Sequence, residues 1–285
     1  MKKKLIAGLL VGAMAVSLSG CGASKTEEAP AAGDSAAEET AEAEPVTLNV
    51  FAAASMTETL TEIQEMYKDV APNVTLVFNF DSSGTLKTQI QEGADCDLFI
   101  SAAQKQMNQL DKDADPEVNI EELDYVLKGT RVNLLENKVV LAVPDGNPKD
   151  IESFEDLGTD RLSLLALGNE DVPVGQYSTE ILTNLGILDS LKAEGKITYG
   201  SNVKEVTTQV SEAAADAGII YATDAFSAGL TVVDQAEGDL CKQVIYPAAV
   251  LNISRNPEAA KEFLAYLQTD TCMQVFEAVG FTAAE

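Results

Sequence analysis

The sequence predicts an α/β fold, on three observations. Short apolar strands alternate along the chain with segments whose apolar residues recur at helical spacing. The apolar fraction of 46% is ordinary for a globular protein and supplies a core. At roughly 100–200 residues per domain, 285 residues make about two domains or one bilobal unit. Val46–Phe51 reads as the first strand. From Ser55 onward Leu60, Ile63, Tyr67 and Val70 mark a helix, and Ser55 with Glu58 three residues on has the form of a capping box. Val74–Phe80 is a second strand, followed by Asp81-Ser82-Ser83-Gly84 and a helix from Thr85 to about Glu92. Leu98–Ser101 is a third strand, with a helix near 103–110 after it. Lys138–Val143, Leu162–Leu167, Ile197–Gly200, Gly218–Tyr221 and Val244–Leu251 read as further strands. Helices are expected near 177–185 and 205–215, and amphipathic helices over 257–268 and 271–279 close the chain. Strand–helix alternation of this kind favours mostly parallel sheets. There is no internal repeat and no GxGxxG or GxxxxGK[ST] fingerprint.

Charge and missing residue types exclude whole function classes. With 19 Lys+Arg against 46 Asp+Glu, the net charge is −27. Nonspecific nucleic-acid binding needs cations along phosphates, so nucleic acid is not an expected partner. The chain has no His, which removes the Ser-His-Asp triad, the Cys-His pair and imidazole metal sites. Cys21, Cys96, Cys241 and Cys272 show no CxxC spacing. Ser55 and Ser83 are not in a GxSxG elbow. Asp95 and Asp97 have the makings of an acid–base pair, but Asp-Cys-Asp-Leu-Phe reads better as the entry to a strand. The expectation is a binding protein, not an enzyme, with no cofactor.

Residues 1–20 read as a signal peptide. Three lysines precede an apolar run from Leu5 to Leu18, too short for the roughly 20 residues of a spanning helix. Leu18-Ser19-Gly20-Cys21 has the form of a bacterial lipobox, which makes Cys21 the lipidated first residue of the mature chain. The membrane is thus expected as a partner through a lipid anchor only, on the outer face of the cell membrane. Residues 21–45 are rich in Ala, Glu, Ser, Thr and Pro, without an aromatic or a large aliphatic residue before Pro45. Such a segment buries too little surface to order itself and reads as a tether.

Several blocks, in order, carry a resemblance. They are Phe51-Ala52-Ala53-Ala54-Ser55, Asp81-Ser82-Ser83-Gly84-Thr85-Leu86, Asp97-Leu98-Phe99-Ile100-Ser101-Ala102 and Val139–Pro144. Asp171–Tyr177, Ala217–Ala225, Tyr246-Pro247-Ala248-Ala249 and Gly280-Phe281-Thr282 continue the series. The ordered set resembles the periplasmic molybdate-binding proteins of ABC transporters across nearly all of 46–285. The resemblance implies the type II periplasmic-binding-protein fold: two α/β lobes joined by two crossover strands, closing over a ligand by a hinge. Lobe one would be 46–132 plus 249–285, and lobe two 133–248. It also implies a ligand set: the hydroxyls and backbone N–H groups of Ser55 and Ser83, the backbone N–H groups of Val174 and Val203, and the hydroxyl of Tyr221. The ligand implied is molybdate, with tungstate beside it. The partner implied is an ABC permease with its ATPase, and a monomer is expected.

The residues fit that chemistry in their own right. A tetrahedral dianion offers only acceptor oxygens, and N–H groups at helix starts meet it with a favourable dipole. Ser55, Ser83, Val174 and Val203 each precede or begin an expected helix, and none of the five positions carries a cation. Each also has a plainer role: Ser55 and Ser83 as helix caps, Tyr221 as a core tyrosine. Gly84 stands where family members often carry Ser or Thr. Asp81 and Glu58 lie close enough to require that their carboxylates point away from the cleft. Other oxyanions, ferric iron, and a sensor or interaction lipoprotein without transport are the competing readings. Cys96, Cys241 and Cys272 are open to one disulfide or to three free thiols.

Overall fold

The computed structural model describes residues 44–284. The leader, Cys21 and most of the acidic tether fall outside the described residues.

Two sheets organise the chain. The first has six strands in the order β11-β4-β10-β3-β1-β2 and the second five, in the order β7-β6-β8-β5-β9. In the first, β1 (Val46–Ala53) pairs in parallel with β2 (Val74–Asp81) and β3 (Leu98–Ile100). β10 (Val244–Val250) runs antiparallel between β3 and β4 (Val132–Asn137), and the short β11 (Thr282–Ala283) closes the edge. In the second, β6 (Leu165–Gly168) is parallel to β7 (Ile197–Gly200) and β8 (Ala217–Tyr221). β5 (Val139–Val143) is antiparallel to both β8 and β9 (Thr231–Gln235). The expectation of mostly parallel sheets is therefore corrected: among the described residues four ladders are parallel and five antiparallel. The reason is the crossings. The chain leaves the first sheet at Asn137 and enters the second at Val139 with Lys138 alone between, then returns from β9 to β10. The strands on either side of those crossings run against their neighbours.

Strand burial follows from composition. The run VTLNVFAA of β1 ends in four consecutive buried residues, and β5 and β8 are buried throughout. Near-continuous apolar runs are what a strand covered on both faces requires. The covering helices are α1 (Thr57–Val70), α2 (Ser83–Gln91), α3 (Gln104–Asn108), α8 (Pro257–Leu267) and α9 (Asp270–Ala278) in the first lobe. In the second they are α4 (Pro173–Asn184), α5 (Leu188–Ala193), α6 (Val203–Ser211) and α7 (Ala222–Ala228). α1 buries Leu60, Ile63 and Tyr67, and the Tyr67 ring meets Phe263 of α8 edge-on at 4.9 Å.

The remaining ambiguities resolve simply. Cys96, Cys241 and Cys272 are all free thiols, all buried. Asp97 is structural: its Oδ2 accepts from the Asn49 backbone N–H at 2.8 Å and its Oδ1 from the Ser254 hydroxyl at 2.6 Å. Asp95 pairs on the surface with Arg255 at 3.0 Å.

Candidate functional site

Several helix starts and strand ends meet at a small cavity between the lobes. Ala53, Ala54, Ser55, Asp81, Ser82, Ser83 and Ala102 line it from the first lobe, and Val172, Pro173, Val203 and Tyr221 from the second. Four of the five positions expected from the sequence therefore lie on one cavity wall or the other. The fifth, Val174, is fully buried as the second residue of α4 and is not on the lining. Cys21, expected as a lipidation site, lies outside the described residues.

Both serines line the cavity and bond to partners outside their own helices. Neither serine caps its helix. Ser82 is the N-cap of α2, accepting from the Thr85 N–H at 3.1 Å, so Ser83 is its first helical residue. The Ser83 Oγ instead accepts from the Ala102 N–H at 2.9 Å. Ser55 sits in a 3-10 turn, Ala54–Met56, and α1 begins only at Thr57 with no side-chain cap. The capping box expected of Ser55 and Glu58 is not formed. The Ser55 hydroxyl shares a hydrogen bond with the Tyr246 hydroxyl at 2.9 Å, and Glu58 turns to Lys204. Tertiary partners 191 and 146 residues away outcompete a local motif worth about 1 kcal/mol.

The second lobe contributes two helix starts and one hydroxyl. Pro173 occupies the first position of α4, where its missing N–H costs nothing and its fixed φ suits the helix. Gly175 lets α4 press onto the end of β6: a Cβ there would run into the Gly168 and Asn169 carbonyls. Asn202 caps α6 by accepting from the Glu205 N–H at 3.1 Å, which makes Val203 the first helical residue. Tyr221 ends β8 and is 1% exposed. Its hydroxyl has no hydrogen-bond geometry with any described neighbour, Tyr246 included, although the two rings meet edge-on at 5.8 Å. A buried hydroxyl without a partner costs about 1–3 kcal/mol, so such a group points to an absent acceptor. Burial pushes the Tyr221 phenol well above its usual range, which keeps it a donor.

Sequence reasoning missed a second set of residues beside the cavity. Tyr246 is placed by a register shift in β10 at Tyr246/Pro247, where proline's missing N–H suits a break in the ladder. Its hydroxyl meets both Ser55 and the Asn137 Nδ2 (3.2 Å), and the same Nδ2 donates to Thr223 at 2.9 Å. Asn137 thus ties the two lobes together at the crossing. Lys204 spans the lobes too: its Nζ lies 2.7 Å from Glu58 Oε2 and 3.2 Å from Asp224 Oδ1. Asp224 is fully buried, and neither of its oxygens has a partner in hydrogen-bond geometry. Burial raises its pKa to about 6 against the pull of Lys204. Burial by itself would lower the Lys204 pKa, but Asp224 and Glu58 hold it above its usual value.

These contacts answer one of the two carboxylates of concern, Glu58; Asp81 departs from the expectation. Glu58 is neutralised by Lys204 rather than facing the cavity as a free charge. Asp81 does border the cavity, with its Oδ1 held by the Ser82 N–H at 2.7 Å. The sequence also holds one Ser-x-x-Lys spacing, Ser201 to Lys204. Ser201 is exposed and Lys204 is paired to two carboxylates, so the lysine is not poised as a base. Among the described residues no group of three or more His, Cys, Asp or Glu is arranged to hold a metal ion. What the cavity offers is hydroxyls, helix N-termini and the one carboxylate of Asp81, with no cation on its lining.

Residues 48–282 match the bacterial extracellular solute-binding proteins, and the chain belongs to that family of exported binding proteins. It is 38% identical over 240 residues to the putative ABC transporter substrate-binding lipoprotein YvgL of Bacillus subtilis, covering 84% of this chain and 87% of that one. To the molybdate-binding protein ModA of Haemophilus influenzae it is 35% identical over 241 residues, covering 83% and 90%. Among solved structures, the substrate-binding domain of a putative molybdenum ABC transporter from Clostridium difficile superposes with a TM-score of 0.62. That pair is 37% identical, over 84% of this chain and all of the other. The fold is the type II periplasmic-binding-protein fold that the ordered sequence blocks implied.

Proposed function

We propose that the protein captures molybdate, and tungstate with it, in the cavity between its lobes and delivers the anion to an ABC permease driven by its ATPase. In this reading Ser55 and Ser83 donate through hydroxyl and backbone N–H, Val174 and Val203 through backbone N–H, and Tyr221 through its hydroxyl. One observation carries it: the Tyr221 hydroxyl is buried at the cavity wall without an acceptor, beside two serines and the starts of α2, α4 and α6. Each neutral hydrogen bond is worth about 1 kcal/mol net, and more toward a charged acceptor. Helix starts add about 0.3–1 kcal/mol each. The relatives named as molybdate-binding support the same choice of anion. Selectivity over sulfate rests on cavity size, since molybdate is the larger tetrahedron of equal charge. The lipobox at Cys21 and the acidic segment after it support tethering to the outer face of the cell membrane.

Calorimetric titration with molybdate, tungstate, sulfate and phosphate is the test. Heat with molybdate and tungstate, and much weaker binding of sulfate, is expected. Ser55→Ala and Ser83→Ala should each weaken binding about tenfold while the thermal midpoint of the ligand-free protein stays within a few degrees. No heat with molybdate, or equal affinity for sulfate, would sink the proposal.

A further inference from the structure

One ion-paired cluster joins the two lobes beside the cavity. Lys204 belongs to α6 of the second lobe, and its Nζ donates to both oxygens of Glu58 on α1 of the first, at 2.9 Å to Oε1 and 2.7 Å to Oε2. The same Nζ lies 3.2 Å from Asp224 Oδ1 on α7, within its own lobe. Each member is close in sequence to a residue on the cavity lining. Lys204 follows Val203, Glu58 lies three residues after Ser55, and Asp224 three after Tyr221. The lysine does not serve its own helix. It is the second residue of α6, and the first turn of a helix favours a carboxylate over a cation. Its two carboxylate partners are held unequally. The Asp224 side chain has no exposed surface, whereas that of Glu58 is 49% exposed. When the lobes part, Glu58 passes easily into water, and Lys204 keeps the buried partner of its own lobe.

An exposed ion pair ordinarily contributes little, partly because two long side chains must be fixed in one geometry. Here Asp224 already fixes the lysine, so the contact orders Glu58 alone. We propose that Glu58 and Lys204 form a latch between the lobes: a pair of positioning residues, off the lining themselves, that holds the lobes together over a captured anion, with Asp224 as the fixed post on the second lobe. The inference rests on the oxyanion reading and deepens it, because a contact made only when the lobes meet acts on release of the anion and not on its capture. The cation is also kept off the lining, where it would attract any anion, and strengthens closure instead.

The sign of one substitution, Glu58→Gln in the full chain, separates a latch from simple charge. Glu58 is a carboxylate near the site of a dianion, so repulsion alone would make Glu58→Gln bind molybdate more tightly. The latch gives the opposite sign. Molybdate should leave Glu58→Gln about three- to tenfold faster by stopped flow, with association within twofold of wild type, since capture begins on open lobes. The gap between the two proteins should narrow between about 20 mM and about 500 mM salt, as screening weakens the pair in wild type. Glu58 is half exposed, so the ligand-free thermal midpoint should stay within a few degrees. On a Lys204→Met background, Glu58→Gln should no longer speed dissociation. Dissociation less than twofold faster in Glu58→Gln, or a loss confined to association, or the same acceleration without Lys204, overturns the proposal and leaves the molybdate reading standing, since wild type still binds. If wild type binds none of the four anions, that reading fails by itself, and small-angle scattering of the ligand-free chain decides the latch. Glu58→Gln is then expected to show a larger radius of gyration than wild type, and equal radii overturn the proposal.

Discussion

Replacing Asp224 by Asn should stabilise the protein, and only above a definite pH. Asp224 has no exposed side-chain surface and stands between Lys204, which attracts its charge, and Glu58, which opposes it. Burial outweighs the lysine, and the folded-state pKa rises from 3.8 to about 6. Between those values the folded protein holds a proton that the unfolded chain has released. Stability therefore falls as pH rises through this window and is fully lost to this group above it. At 1.36 kcal/mol per unit the gap amounts to about 3 kcal/mol. Asn has the shape of the protonated acid and does not titrate. The Asn variant should match wild type near pH 4 and exceed it by about 3 kcal/mol at pH 7.5. Urea unfolding at the two pH values measures this, with the midpoint of the variant moving up by about 1 M or more at the higher pH. Acid effects elsewhere are common to both proteins and cancel in the difference. An advantage that does not change with pH would refute the reasoning. So would a wild type that gains on the variant as pH rises, because Lys204 would then be the stronger influence.

Three further outcomes are expected. Tyr221→Phe removes a buried hydroxyl that has no partner, so the ligand-free protein should be unchanged or about 1–2 kcal/mol more stable by thermal unfolding, while molybdate binding weakens about tenfold; a large loss of stability would show the hydroxyl to be satisfied. Lys204→Met leaves the Asp224 carboxylate buried without its counter-charge and should cost about 2–4 kcal/mol at pH 8 and much less at pH 5, where the carboxylate is protonated; equal losses at both pH values would contradict this. Cys96, Cys241 and Cys272 should react with a thiol reagent at pH 8 far more slowly in the native protein than in denaturant, since burial raises each thiol pKa, that of Cys241 to about 11.

The parts of this molecule that are legible in the sequence are those decided locally. Val46–Phe51, Val74–Phe80 and Ile197–Gly200 are apolar runs bounded by clear breaks, and each is a strand within two residues of its expected ends. β4, β9, β11, α5 and α7 have no counterpart among the expected elements. Thr231–Gln235 is largely solvent-facing, and Ala222–Ala228 is a single short helix with three buried residues, so pairing and packing decide both. The serines of the cavity were legible as positions but not as partners. No local pattern announces that Ser82, rather than Ser83, caps α2, or that Glu58 reaches across to Lys204 instead of back to its own helix. Tyr246 and Asn137 lay beyond reach for the same reason: their bonds join residues 86 to 191 positions apart.

The single residue between β4 and β5 has a mechanical consequence. When one body swings on another, each atom travels in proportion to its distance from the axle. Lys138 is where the chain passes between sheets, and the neighbouring Asn137 amide bonds Thr223 on one side and Tyr246 on the other. Were the lobes to swing about this crossing, bonds so near the pivot would stretch little and would survive opening where remote contacts part. Tyr246 in turn grips Ser55. The ligand would thus land on a floor that stays braced throughout the cycle, while the opposite wall does the travelling.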